Sequence, residues 1–322
     1  MLDFEEKIIK YAIVDIGANS IRMNIYDIDT QTGEFSVCSS ARSMLGLAAY
    51  AKNGTLSNDG AGKLFAVLRE FLARANSIPC DAFSAFATAS LRGLSNSKKI
   101  LKEIKAGLGI EIEIISGEKE AKYDHTAIRF RFPETKKGVL IDMGGGSTEI
   151  VHFENEKILN TVSLPIGCVM LGKNFTECSK KDPFPTETEM ENIRVYVRKI
   201  LSAYPAFRKI GGTAFLIGGT ARAAAKLNLA NSDKKEPLAD GYAFSVNELK
   251  KTADTAFCDI REDGKWIKEI VPDRITSVIP GLVAYLEICE YMSLSDFIIS
   301  NAGVREGYLI EFIRKNFLRK TP

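Results

Sequence analysis

The chain has 322 residues, 45% of them hydrophobic and 26% charged, and a formal net charge of +2. That length favours two domains, each able to bury a core, and the near-neutral balance does not advertise a nucleic-acid partner. Only two histidines, His125 and His152, leave little room for a His-rich zinc site. The six cysteines have no CxxC pair and read as free thiols of a reducing cytosol. No apolar run is expected to reach the length of a bilayer span. The acidic opening MLDFEEKIIK is unlike a signal peptide, so a cytoplasmic chain without membrane contact is expected.

In chain order, residues 11–17, 21–28 and 34–39 have strand character, with a turn over 29–33. A mixed loop over 43–60 leads to a helix over about 61–76, whose Leu64, Val67, Leu68, Phe71 and Leu72 share a face. Strand 82–87, helix 97–107, the β-branched strand 110–115 and a helix over about 118–128 come next. The segment RFRFPETKKG, 129–138, combines proline with charge and is the expected domain boundary. Beyond it the pattern recurs: hairpin 139–153, strand 157–164, an irregular stretch with KKDPFP at 180–185, and a helix over 187–203. Strand 213–217 and the turn Gly218-Gly219-Thr220 precede a short helix over 221–227. Helices over 246–254, 274–291 and 304–317, with strand 297–300 before the last, complete the chain. Strands interleaved with helices predict an α/β protein of two domains, 1–128 and 129–322, the final helix able to pack back on the first.

One signal occurs twice. AIVDIGANSIRMNIY at 12–26 and VLIDMGGGSTEIVHF at 139–153 each run from an apolar strand to an aspartate, Asp15 or Asp142. Small residues and a serine follow (Gly17, Ala18, Asn19, Ser20; Gly144, Gly145, Gly146, Ser147), then a second strand. A hairpin turn of Gly, Ala, Asn and Ser leaves backbone N–H groups able to face an anion, and three successive glycines keep side chains out of the way. Ser147 and Thr148 add hydroxyls. Asp142 and Glu149 would repel phosphate unless a hard cation such as Mg²⁺ sat between, with Mn²⁺ the alternative. The bland reading is a tight turn whose acids cap backbone groups. Neither turn is a Walker loop or a dinucleotide fingerprint, since no GK[ST] follows and a strand rather than a helix comes next. Gly218-Gly219-Thr220 opens a helix whose first N–H groups could also meet an anion.

Hydrolysis of a phosphoanhydride needs an oriented water and a proton acceptor. Glu120, in the first turn of a helix directly after strand 110–115, suits that role; favourable helix-terminus electrostatics is the competing account. Arg92, in FATASLRGLSN, follows a strand end, where a guanidinium can fork onto phosphate oxygens. Arg22, Arg42, Lys119, Arg222 and Arg305 are further basic candidates, and Trp266 reads as a packing anchor.

At these residues the sequence resembles the exopolyphosphatase and guanosine pentaphosphate phosphohydrolase (Ppx/GppA) family, in its short form without the C-terminal helical domain. Besides the two loops, FATASLR, IEIISGEKEA, SLPIGCVML, GGTARA, DGYAF, VPDRITSVIPG and NAGVREG match family segments in order. The resemblance implies two related ribonuclease-H-like domains of the actin, sugar kinase and heat-shock protein ATPase superfamily, with an interdomain cleft. It implies Glu120 as catalytic carboxylate, with Asp142 beside it and Asp142 and Glu149 at the metal. It places Asp15, Gly17, Asn19, Ser20, Arg22, Arg92, Gly144–Gly146, Ser147, Thr148, Gly219 and Thr220 on phosphate. The implied activity is removal of a terminal phosphate from polyphosphate, or from guanosine pentaphosphate, with a homodimer conceivable and no nucleic acid or membrane involved. A nonhydrolytic phosphate-chain binder is the other reading. The chain departs from the family at Lys119 (commonly glutamate), Ala18 (commonly serine) and Thr276 (often aspartate).

Overall fold

The computed structural model describes residues 8–178, 183–232 and 237–318; positions 180–182 of the KKDPFP stretch lie outside them. The first half comprises β1 (Ile8–Ile16), β2 (Ile21–Asp29), β3 (Phe35–Ser43), a 3₁₀ turn (Leu47–Tyr50), β4 (Ala51–Lys52) and β5 (Thr55–Leu56). It continues through α1 (Asn58–Ser77), β6 (Ala82–Ala87), α2 (Ser97–Leu108), β7 (Ile112–Ile114) and α3 (Gly117–Arg131). Then come β8 (Lys137–Met143), β9 (Thr148–Glu154), β10 (Lys157–Leu164), α4 (Cys168–Phe175), α5 (Glu187–Ser202), β11 (Thr213–Ile217) and α6 (Gly218–Ala230). The chain closes with β12 (Ala243–Ser245), α7 (Val246–Glu262), α8 (Lys265–Ile270), α9 (Ile275–Met292), β13 (Asp296–Ile299) and α10 (Val304–Asn316). It divides into two compact units: the first runs to Ala127 and resumes at Val304, and the second covers Ile128–Gly303.

In the first unit the sheet order is β3-β2-β1-β6-β7, antiparallel among the first three strands and parallel from β1 outwards. Alternation along β1 serves both faces. Ala12, Val14 and Ile16 pack with Leu64, Leu68 and Phe71 of α1 and with Ile100 and Ile104 of α2. Ile9, Tyr11 and Ile13 pack with Tyr123 of α3 and Leu309 and Ile313 of α10. Burying one such aliphatic side chain stabilises by about 1.5–3 kcal/mol. Gly307 lets α10 press on α3, because a Cβ there would stand 1.9 Å from the Tyr123 carbonyl oxygen.

In the second unit the order β10-β9-β8-β11-β13-β12 repeats this arrangement and adds the antiparallel edge strand β12. Its main core joins Val139, Ile141 and Met143 of β8 to α4, α5, α6 and α9. Capping boxes, Thr186 with Glu189 and Ser245 with Glu248, start α5 and α7. Pro280 inside α9 cannot donate to the Thr276 carbonyl, and that oxygen lies 3.2 Å from where a Gly172 Cβ would stand, so α4 approaches closely only as glycine. Pro272–Met292 corrects one expectation: its mean hydropathy of 1.3 meets the length and composition of a bilayer span, yet 72% of that window is buried inside the protein, as a core helix is.

Other differences from the sequence reading are local. Helix α1 starts at Asn58 because Ser57 caps it, accepting from the Gly60 N–H. α7 runs on to Glu262. Helix α4 was not expected: it begins where its N-terminal N–H groups meet loop carbonyls (below). α8 is six residues long and held by the Asp259 carboxylate, which accepts from the Trp266 and Ile267 N–H groups. A short helix capped from seven residues away leaves no periodic signature.

Candidate functional site

The two glycine turns close with the same hydrogen bond. Gly17 N–H donates to the Ser20 carbonyl at 3.1 Å, and Gly144 N–H donates to the Ser147 carbonyl at 2.9 Å. Behind the first turn, the Ala18 and Asn19 carbonyls accept from Ala48 and Gly46 N–H, both at 2.9 Å. Behind the second, the Gly144 carbonyl accepts from Cys168 N–H at 3.1 Å, and the Gly145 carbonyl from Val169 and Met170 N–H at 3.1 and 3.0 Å. With the carbonyls satisfied from behind, the N–H groups of Ala18, Asn19, Gly145 and Gly146 have no acceptor among the described residues. Each turn has the form of a main-chain nest, a concavity of donors of the kind that suits an anion.

Strand register then separates the two. In the second unit Asp142 stands directly across from Glu149, putting two carboxylates on one face. Glu149 accepts from Ser147 Oγ at 2.8 Å and Ser163 Oγ at 2.6 Å. The described residues contain no group of three or more His, Cys, Asp or Glu able to hold a metal. Two carboxylates fit Mg²⁺ or Mn²⁺ bound jointly with phosphate oxygens rather than in an all-protein cage. In the first unit the corresponding pair is Asp15 across from Arg22, with Arg42 next in the row. Burial pushes the Asp15 carboxyl above its usual range, Arg305 and Arg22 pull it down, and Glu306 pushes it up. Glu306 is held by Tyr26, whose hydroxyl donates to it at 2.7 Å. Arg22 Nε donates to Ser20 Oγ at 3.3 Å, linking this charge cluster to the nest.

Glu120 lies in the first turn of α3, where its N–H bonds to the Ser116 carbonyl, and is 6% exposed. Its Oε2 is 3.2 Å from Arg92 Nη2, and Arg92 Nη1 donates to the Ile115 carbonyl at 3.1 Å. The sequence suggested these residues separately; the structure joins them. Ser90 Oγ donates to the Ile16 carbonyl, so the Arg92 loop is tied to the root of the first nest. Lys119 pairs with Glu113, and its ammonium lies 5.6 Å from the Tyr123 ring centre.

In the second unit, Gly218 (φ +92°) opens α6 beside Asp142, and a Cβ there would stand 2.6 Å from Asp142 Oδ1. Gly219 is covered by Arg274, whose Nη2 lies 1.8 Å from a built Cβ. Arg274 was missed from sequence, although the DRITS segment holding it drew attention to Thr276. Both hydroxyls expected to meet an anion are engaged within the protein, that of Ser147 by Glu149 and that of Thr148 by a carbonyl. Thr148 is fully buried and donates to the Ile166 carbonyl. Thr220, 1% exposed, donates to Cys168 Sγ at 3.2 Å. Trp266 packs against the second unit's core, as its isolation in a charged stretch suggested.

Fold and loops together define an α/β protein of two units, each presenting a main-chain nest at the end of its first strand. The Ppx/GppA phosphatase family model matches residues 25–316, and the chain belongs to that family. Among solved structures, the family member from Aquifex aeolicus is 28% identical with a TM-score of 0.77, covering 96% of this chain and 99% of that one. An exopolyphosphatase from Cytophaga hutchinsonii, 20% identical with a TM-score of 0.83 over 95% and 98% of the two chains, shares the fold. The guanosine-5'-triphosphate,3'-diphosphate pyrophosphatase of Aeromonas salmonicida is 26% identical over 318 residues, which is 95% of this chain and 60% of that protein. The chain thus spans well under two thirds of that curated relative.

Proposed function

We propose that the protein is a metal-assisted phosphoanhydride hydrolase that releases terminal orthophosphate from inorganic polyphosphate, with each unit a ribonuclease-H-like domain of the actin, sugar kinase and heat-shock protein superfamily. The observation that carries this reading is the duplicated closure, Gly17 to Ser20 and Gly144 to Ser147, which leaves each unit a set of main-chain donors suited to phosphate. Preorganised donors of this kind stabilise charge developing on a transferring phosphoryl group without reorganising. Glu120 positions the attacking water and takes its proton, and Arg92 fixes the orientation of that carboxylate. Arg22 and Arg274 provide cationic partners for phosphate oxygens. Asp142 and Glu149 would hold Mg²⁺, which when bound offsets negative charge on the phosphate oxygens.

Guanosine pentaphosphate is the second substrate reading, favoured by the pyrophosphatase relative that matches 95% of this chain. Phosphate release from long polyphosphate, tripolyphosphate and guanosine pentaphosphate, each with and without Mg²⁺, tests the proposal. Mg²⁺-dependent release, fastest from long polyphosphate, is expected. Faster release from the nucleotide installs the second reading. Tight binding of all three with no release makes the protein a phosphate-chain binder and ends the hydrolytic account.

A further inference from the structure

Between Asp81 and Glu103 the chain holds no acidic residue, and its charged members there are Arg92, Lys98, Lys99 and Lys102. The lysines belong to α2, which opens at Ser97, a few residues beyond Arg92. Lys98, Lys102 and Lys105 stand at i, i+4 and i+7, so they form one exposed stripe about 10 Å long. Ile100 and Ile104 on the opposite side are buried in the first unit's core, which holds the stripe outward. Lys105 pairs with Glu111, and Lys99 lies 3.9 Å from Glu103. Lys98 and Lys102 have no ion pair among the described residues.

The start of α2 is anchored. Asn96 Nδ2 donates to the Leu56 carbonyl at 2.8 Å, its Oδ1 accepts from Leu56 N–H at 3.0 Å, and Ser95 N–H donates to the Gly54 carbonyl at 2.8 Å. Helix α2 carries +3, against +2 for the entire chain. Like charges one turn apart destabilise a helix, and a polyanion laid along them removes that repulsion. The helix has no aromatic side chain on which a base could stack, which disfavours a nucleic-acid strand.

We propose that the Lys98, Lys102 and Lys105 stripe holds the distal part of a long polyphosphate chain whose terminal phosphate is processed beside Arg92 and Glu120, giving the protein a preference for long chains. This rests on the hydrolytic reading above. The test is the triple variant Lys98→Ala, Lys102→Ala, Lys105→Ala, which removes exposed side chains and puts a strong helix former at each position. Phosphate release is measured on long polyphosphate and tripolyphosphate, with Mg²⁺, at 50 and 200 mM salt.

Each lysine that neutralises a phosphate contributes about 0.7 to the slope of log affinity against log salt for a single strand. The variant is therefore expected to raise KM on long chains, flatten that slope by about 2 and lose about 20-fold less affinity than the parent over this salt range. Its kcat and its tripolyphosphate kinetics stay at parent values. An unchanged long-chain KM and slope overturns the proposal, and so does an equal loss on tripolyphosphate. Single-stranded RNA that binds the parent but not the variant, and displaces polyphosphate, reassigns the stripe to nucleic acid. If the parent hydrolyses neither substrate, the hydrolytic reading fails by itself, and retention of labelled long polyphosphate by parent and variant still decides what the stripe does.

Discussion

Gly167 sits immediately before α4, against the back of the second nest. A Cβ there would stand 2.3 Å from the Gly145 carbonyl oxygen and 2.4 Å from the carbonyl carbons of Gly145 and Gly146. Non-bonded heavy atoms settle at about 3.5 Å or more, so Gly167→Ala must displace the nest by about 1 Å. The obstructing atoms are backbone, held by the Cys168, Val169 and Met170 N–H groups, and cannot rotate aside. Gly167 itself is extended (φ −98°, ψ 139°), a conformation alanine adopts without strain, so the effect is a collision alone. A misplacement of about 1 Å costs on the order of 100-fold in rate, or about 2.7 kcal/mol of transition-state stabilisation. Gly46, which backs the first nest, reverses the logic: φ is +63° and nothing lies within 4 Å of a built Cβ. Gly46→Ala should therefore cost about 1–2 kcal/mol of stability and leave its nest in place. Turnover at saturating substrate and the denaturant midpoint, measured on both variants, separate the two effects. Gly167→Ala should lose turnover as well as midpoint, and Gly46→Ala should lose midpoint with turnover nearly intact. Parent-level turnover in Gly167→Ala would refute the placement of the nest at the reacting phosphate.

Gly219→Ala meets only the flexible end of Arg274, so it should cost little stability but drive the guanidinium away, raising KM as Arg274→Met does; a KM unchanged in both removes Arg274 from the site. Arg305→Met strips a buried partner from Asp15 and Glu306 and should lower stability by about 3 kcal/mol or more, read as a denaturant midpoint, whereas an exposed change such as Arg208→Met stays within about 0.5 kcal/mol. Burial holds the His152 pKa below its usual 6.5, with Glu154 opposing. The unfolded chain then binds the extra proton first, so this contribution is full above pH 6.5 and is lost as pH falls through the folded pKa. His152→Gln should flatten that part of the stability–pH curve, and an unaltered slope below pH 6.5 would assign it to other groups.

The nests were legible because glycine, small residues and serine between two strands leave a pattern that a single copy could imitate but two aligned copies do not. The identical Gly-to-Ser hydrogen bonds give that repetition its physical content. The position of Glu120, in the first turn of a helix after a β-branched strand, was legible. Its contact with Arg92 was not, because 27 intervening residues had to fold before the two could meet at 3.2 Å. The same holds for Arg274 over Gly219 and for Arg305 beside Asp15, which sit close in space but far apart in sequence. At Ser147 and Thr148 the hydroxyls' partners were not legible: one donates to Glu149 and the other to the Ile166 carbonyl, contacts that only the folded hairpin brings together. Helix α4 went unread because its first N–H groups answer to carbonyls some two dozen residues earlier rather than to a local cap.

Substituting Glu120→Gln keeps shape and hydrogen-bonding capacity but removes the proton acceptor. Measured in parallel, polyphosphate retention at equilibrium and Mg²⁺-supported phosphate release should part company: retention at the parent's level, release down by about 10²–10⁴-fold. A variant that turns over as fast as the parent contradicts the assignment of this carboxylate to the attacking water.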